Sequence, residues 1–349
     1  MTPFPLHRLT FVYRPGSGKV LVNLLRFSSA KIPLVFLQQC TISDEEQCRY
    51  LALDPHLVFT TKQDEALAAS SDAILWAREV FETEQDFLCW RELMEQAIAH
   101  RKNIYNLARL NLIATDPDLS RLASQNQIKY WEASTAASEI AQRPTYGQIV
   151  PKRPKAKVVL MLGTERCCGK FTTTQILKQR LHSQGLKVAE LATEPYGLLT
   201  GSDAVIIPQM LPLWQATPAI HQIVSDLEDT LHPDILLVSS QSGLRSKGLD
   251  AYGRCGGIIA YSIALGSLPD ACILCSPLRT VESISKEKDL LESLLGANVL
   301  GISIKERDRP LATDSFAAVQ HAFDLPVFDP WQEPERLDEV IESILALAK

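Results

Sequence analysis

"VVLMLGTERCCGKFTTTQIL", Val158–Leu177, is the stretch whose reading decides the fold. Five apolar residues run into a glycine, a polar loop follows, and a second glycine and a lysine lead into helix-forming residues. A strand that passes through glycines into a helix gathers backbone N–H groups at the helix start and makes a cradle for an anion. Gly163 and Gly169 let the backbone come close, Thr164, Glu165 and Cys168 belong to the turn between them, and Lys170 adds a mobile positive charge. The spacing is one residue longer than G-x-x-x-x-G-K-[ST], the commonest phosphate-loop pattern. Phe171 stands where that pattern has the hydroxyl that holds Mg²⁺. Thr172 and Thr173 follow, each turned by about 100° around a helix, so a shifted hydroxyl is available. The bland alternative is a tight turn without a ligand.

Outward from this loop, short apolar runs alternate with helical patterns: "KVVLML", "LKVAEL", "DILLVSS", "DACILC" and "VLGISI" as strands, separated by helices such as "PAIHQIVSDLEDTL" and "ISKEKDLLESLLG". Such alternation predicts an α/β, P-loop NTPase-like parallel-sheet domain over 158–349. Upstream, "RPTYGQIVPKRPKAK" at 143–157 carries three prolines and five basic residues with little periodicity, and reads as a linker. Residues 1–142 repeat the alternation and are expected to form an α/β domain with a mostly parallel sheet. Within them "YRPGSGKVLV" also contains G-x-G-K, but the residues after it alternate as a strand would, so Gly16 and Gly18 read as hairpin punctuation.

The 349 residues suffice for two domains. A formal charge of -6 without a long basic block argues against nucleic acid as a partner. No run reaches the roughly 18 to 20 apolar residues of a membrane helix, and the opening lacks a secretion signal, so a cytoplasmic location away from membranes is expected. Eight scattered cysteines suit reduced thiols, and Cys272 and Cys275 read as strand core. The seven histidines show no metal-site spacing, and no metal ligands are assigned. Asp329 in "PVFDP" suits either a site or a turn, and Trp214 either covers a cleft or packs.

In an open α/β sheet ligands bind beyond the carboxyl ends of the strands, here after Leu162, Leu191, Val238 and Cys275. Two of those loops are rich in polar residues and glycine. "ATEPYGLLTGSDAV" supplies Thr193 and Asp203, and "SSQSGLRSKGLDAYGRCGG" supplies Gln241, Arg245 and Lys247, with a second anion site conceivable at Gly256 and Gly257. Solvated loops with helix-start glycines are the alternative.

These motifs, in this order after "GTERCCGKFTT" and followed by "GSLPDACILC" and "LPVFDP", resemble the P-loop-like family of formerly unknown function that includes D-glutamate N-acetyltransferases. The loop itself resembles that of dethiobiotin synthetases. The family resemblance covers most of 105–345 and implies a Rossmann-like first domain, a dethiobiotin-synthetase-like P-loop domain, and acetyl transfer from acetyl-CoA to a small amine such as a D-amino acid. It carries over to Gly163, Gly169, Lys170, Thr172, Thr193, Asp203 and Gln241 as cofactor-binding residues, and it leaves the catalytic residues unassigned. Ser239 stands where family members carry an acid, Arg245–Gly248 occupy the place of a histidine-proline pair, and Pro208 replaces an aspartate. A carboxylate and an imidazole that could serve as base or metal ligand are thereby removed. Acetyl-CoA or ATP is the expected cofactor, Mg²⁺ use is left open, and a homo-oligomer is expected. Two alternatives stand beside the acyltransferase: an ATP-dependent ligase of the dethiobiotin synthetase type, and a non-catalytic protein that binds nucleotide or CoA.

Overall fold

The computed structural model describes residues 7–40, 56–135, 137, 139, 152–244, 256–305 and 313–348. They fall into two units, Met1–Ser138 with Pro195–Gly201, and Glu139–Glu194 with Ser202–Lys349. Most of the 143–157 stretch, Arg245–Gly248 and the residues just before Gly256 lie outside the described residues.

In the first unit the strands are β1 (Arg8–Tyr13), β2 (Lys31–Leu37), β3 (Phe59–Thr60), β4 (Ala73–Trp76), β5 (Asn103–Asn106) and β6 (Tyr130–Glu132). The helices between them are α1 (Gly18–Phe27), α2 (Gln63–Ala68), α3 (Glu84–Ala99), α4 (Leu112–Thr115) and α5 (Pro117–Gln125). All strands pair in parallel in the order β3-β2-β1-β4-β5-β6, that of dinucleotide-binding folds. Leu9, Phe11 and Val12 of β1 are buried, as a strand covered on both faces requires. Local chemistry sets the helix starts: Thr83 and Asp86 form a reciprocal capping box on α3, and Asp116 caps α5 ahead of Pro117.

The hairpin expected at "YRPGSGKVLV" is not there. Gly18–Phe27 is a helix that buries Val20, Leu21 and Leu24, and Gly16 makes the turn before it with φ +88°. A short apolar run fits both periods, and the crossover from β1 to its parallel neighbour β2 requires the helix.

In the second unit β7 (Lys157–Gly163), β8 (Val188–Ala192), β9 (Ala204–Val205), β10 (Ile235–Gly243), β11 (Ala271–Ser276), β12 (Asn298–Ile304) and β13 (Val327–Phe328) form a parallel sheet in the order β13-β12-β11-β7-β10-β8-β9. Helices α6 (Lys170–Ser183), α7 (Leu213–Leu231), α8 (Gly256–Ser267), α9 (Val281–Leu295), α10 (Thr313–Ala322) and α11 (Pro334–Ala348) connect and cover it. The mixed α/β, two-sheet fold is thus the one expected, and β7 lies at its centre between β10 and β11.

Candidate phosphate-binding site

The chain leaves β7 toward β8 on one side and later returns to β11 on the other, so the carboxyl ends of β7, β10 and β11 open a crevice at the point where the order reverses. The loop after β7 begins tied to the sheet: the Thr164 N–H donates to the Cys275 carbonyl at 2.9 Å, and its Oγ1 lies 3.2 Å from the Ser276 hydroxyl. Further along, Cys167 (φ 59°) and Gly169 (φ 92°) are both left-handed. Alternating left- and right-handed residues turn successive N–H groups to one side. Among the described residues the N–H groups of Cys167, Cys168, Gly169 and Lys170 have no acceptor, and no side chain caps α6.

Lys170 folds back over the start of its own loop. Its ammonium donates to the Glu165 carbonyl at 2.7 Å and lies 3.7 Å from the Cys168 sulfur, with the residue only 7% exposed. Among the described residues no carboxylate pairs with it. A Cβ at Gly163 would lie 2.6 Å from the Cys168 sulfur and 2.8 Å from the ammonium, so this conformation requires glycine. Lys305, at the end of β12, covers Gly169, where a Cβ would lie 2.9 Å from its Cδ.

The remaining expected residues divide. Glu165 turns its carboxylate outward to Arg279. Phe171 is buried. Thr173 bonds Ser303 at 2.8 Å, whereas the Thr172 hydroxyl has no partner among the described residues. Gln241 reaches the Thr193 carbonyl and accepts from Gln209, and Thr193 donates to the Ser239 carbonyl at 3.0 Å, which ties the ends of β8 and β10 together. Beside the loop, β10 bulges between Ser239 and Gly243, and Gly243 pairs with Gly163. The hydroxyls of Ser239 and Ser240 are buried there without a partner among the described residues.

Asp203 is drawn elsewhere. It accepts from Lys178 at 2.7 Å and from the Glu190 N–H at 2.9 Å, in a network with Gln175, whose amide reaches both Glu190 oxygens at 2.8 and 2.9 Å. Burial raises the Glu190 carboxyl to about 7, outweighing the Lys178 ammonium 3.6 Å away. Cys272 and Cys275 are core, and burial raises the Cys272 thiol to about 12. Asp329 accepts from the N–H groups of Trp331 and Gln332, as a turn residue does, and Trp214 is 70% exposed. Among the described residues no group of three or more His, Cys, Asp or Glu is gathered as for a metal, and no helix is long and apolar enough to cross a membrane.

Sequence reasoning did not single out Lys305 or Arg279, nor the role of the Ser239 and Ser240 hydroxyls. A polar residue just past each strand end is the signal that could have found them, because β11 and β12 finish on the same edge as β7.

The family model described as "Domain of unknown function (DUF1611_C) P-loop domain" matches residues 145–338. The fold is similar to that of a DUF1611 family protein from Anabaena variabilis ATCC 29413, with a TM-score of 0.75 and 19% identity over 96% of this chain and 99% of that one. Weaker similarity extends to the septum site-determining protein MinD of Pyrococcus horikoshii OT3, complexed with Mg-ADP (TM-score 0.33, 17% identity, 54% of this chain and 86% of that one). A nucleotide-binding protein of Archaeoglobus fulgidus in complex with ADP is similar at the same level (TM-score 0.35, 14% identity, 56% and 89%). No curated protein matches the chain.

Proposed function

Because this chain belongs to the DUF1611 family and carries its P-loop domain, we propose that the loop Gly163–Lys170 binds the phosphate groups of a nucleotide-type cofactor. The observation that carries this reading is a buried lysine ammonium, with no carboxylate partner among the described residues, beside four open N–H groups at the start of α6. A buried cation is costly unless paired, and a phosphate oxygen in place of the Glu165 carbonyl would pair it.

The cofactor we propose is acetyl-CoA, and the acceptor a small amine such as a D-amino acid. Two features support CoA over Mg²⁺-ATP. Hydroxyls, not a carboxylate, stand at Ser239 and Ser240 beside the loop, and the buried phenyl ring of Phe171 replaces the usual Mg²⁺-holding hydroxyl. When bound, acetyl-CoA supplies an activated acyl thioester. The protein's part is to hold the diphosphate with the open amides and Lys170, while Thr172, Ser239 and Ser240 offer hydrogen bonds to the rest of the ligand.

Calorimetric titration with CoA, acetyl-CoA, ADP and ATP, with and without Mg²⁺, tests the binding. CoA is expected to bind without Mg²⁺, and Lys170→Ala to weaken it more than about tenfold while the circular dichroism is unchanged. An affinity that survives the loss of Lys170 refutes the assignment. Release of free thiol from acetyl-CoA in the presence of a D-amino acid panel tests the transfer, and tight CoA binding with no release leaves the non-catalytic reading.

A further inference from the structure

The first turn of the amino-terminal sheet has the makings of a second phosphate site. Its strand β1 lies at the order reversal of that sheet, between β2 and β4. From β1 the chain passes through Arg14–Ser17 directly into α1, a ten-residue helix with no acidic residue in its first turn and no side-chain cap. Ser17 is spent on the turn itself: its Oγ accepts from the Arg14 N–H at 3.0 Å and donates to the Arg14 carbonyl at 2.7 Å. Gly16 holds φ +88°, and the Gly18 N–H has no acceptor among the described residues.

Two buried side chains point the same way. Arg14 is 7% exposed, and its guanidinium lies over the Trp76 ring at the end of β4, 5.6 Å from the ring centre. Its Nη2 donates to Gln39 after β2 and to Asp86 in the first turn of α3, so the group is held between the ends of these elements. Its Nη1 has no partner among the described residues. Next to it in the parallel register, where Tyr13 pairs with Leu37, stands Gln38, also 7% exposed, whose Oε1 likewise has no partner among the described residues. Gln38 comes 20 residues after Gly18, about the distance at which dinucleotide folds place the residue that binds a ribose hydroxyl.

The geometry points to a dinucleotide site: the diphosphate at Gly16–Gly18 and the Arg14 Nη1, and a ribose hydroxyl at the Gln38 Oε1. Arg78 adds a cation, since its Nη1 donates to the Pro15 carbonyl and would lie 3.4 Å from a Cβ on Gly16. Its exposed partner Glu82 competes weakly, as surface ion pairs do. Leu21 departs from the usual third glycine, and as it is buried against the sheet it leaves the turn itself unaltered. A neutral Gln38, unlike an acid, does not repel a 2′-phosphate, so both forms of the nicotinamide dinucleotides fit.

The test uses the full chain with NAD⁺, NADP⁺ and inorganic pyrophosphate as probes. Calorimetry is expected to show one dinucleotide bound per chain, and hydrogen exchange to show protection over 14–21. Gly18→Glu places a carboxylate at the helix start, which favours the helix but repels phosphate. It is expected to weaken NAD⁺ at least about tenfold; because Gly18 is buried, Gln38→Leu, which removes an unpaired buried acceptor, is the companion variant expected to weaken NAD⁺ without lowering Tm. Lys170→Ala is expected to leave NAD⁺ affinity within about twofold, because additivity holds for independent sites. No binding of either dinucleotide at millimolar concentration, binding of pyrophosphate alone, or protection confined to 163–173 would each overturn the proposal.

Discussion

A buried hydroxyl without a partner costs about 1–3 kcal/mol, and among the described residues Ser239 and Ser240 each present one beside the loop after β7. Ser239→Ala is therefore expected to keep or raise the Tm of the free protein while weakening the proposed cofactor, a split that paired melting curves and titrations would reveal. Gly243 makes the opposite case. A Cβ there would land on the Thr164 carbonyl, and backbone cannot swing aside as a side chain can. Gly243→Ala should destabilise the second unit by about 1–3 kcal/mol, read by urea unfolding, and should weaken cofactor binding through the displaced loop. At this scale Gly163, Gly169 and Lys170 were legible as a strand-to-helix turn, because two glycines and a lysine between a strand and a helix form a local pattern. Asp203 was less legible, since its commitment to Lys178 depends on which helix lies over β8.

Elements were legible where local chemistry and long-range packing agree. Helix α3 begins at a threonine whose side chain accepts the N–H of Asp86, and Asp86 returns the bond to the Thr83 N–H. Thr83→Ala should cost about 1 kcal/mol, measurable by thermal melts. It should also loosen Asp86, one of the acceptors that orient the Arg14 guanidinium. Helix α1 shows where such reading stops. "KVLVNLL" satisfies a two-residue and a 3.6-residue period alike, and only the parallel pairing of β1 with β2 selects the helix.

For the molecule as a whole, a half-buried carboxylate in one unit and a buried one in the other respond oppositely to pH. In the first, burial pushes Glu79 up but Lys19 and Arg109 outweigh it and hold the carboxyl at about 2. The unfolded chain takes up that proton first, so this unit loses stability as pH falls from about 4.5 toward 2. In the second, Glu190 at about 7 keeps a proton that the unfolded chain has already released. Stability there falls as pH rises from about 4.5 to 7, and Glu190→Gln should flatten that slope. Hydrogen exchange across pH 3 to 8, followed separately over β4–β5 and β8–β10, would check both signs. The sequence by itself determined two α/β halves with parallel sheets and a phosphate-type loop at the head of the second, because hydrophobic period and glycine placement are local properties of the chain. Only the tertiary structure decided that Arg14–Ser17 opens a helix, that Pro195–Gly201 belongs to the first unit, and that Asp203 serves an ion pair while Ser239 and Ser240 stay unpaired. Those outcomes turn on which strands become neighbours, and strand order joins residues too far apart in sequence for any local pattern to encode.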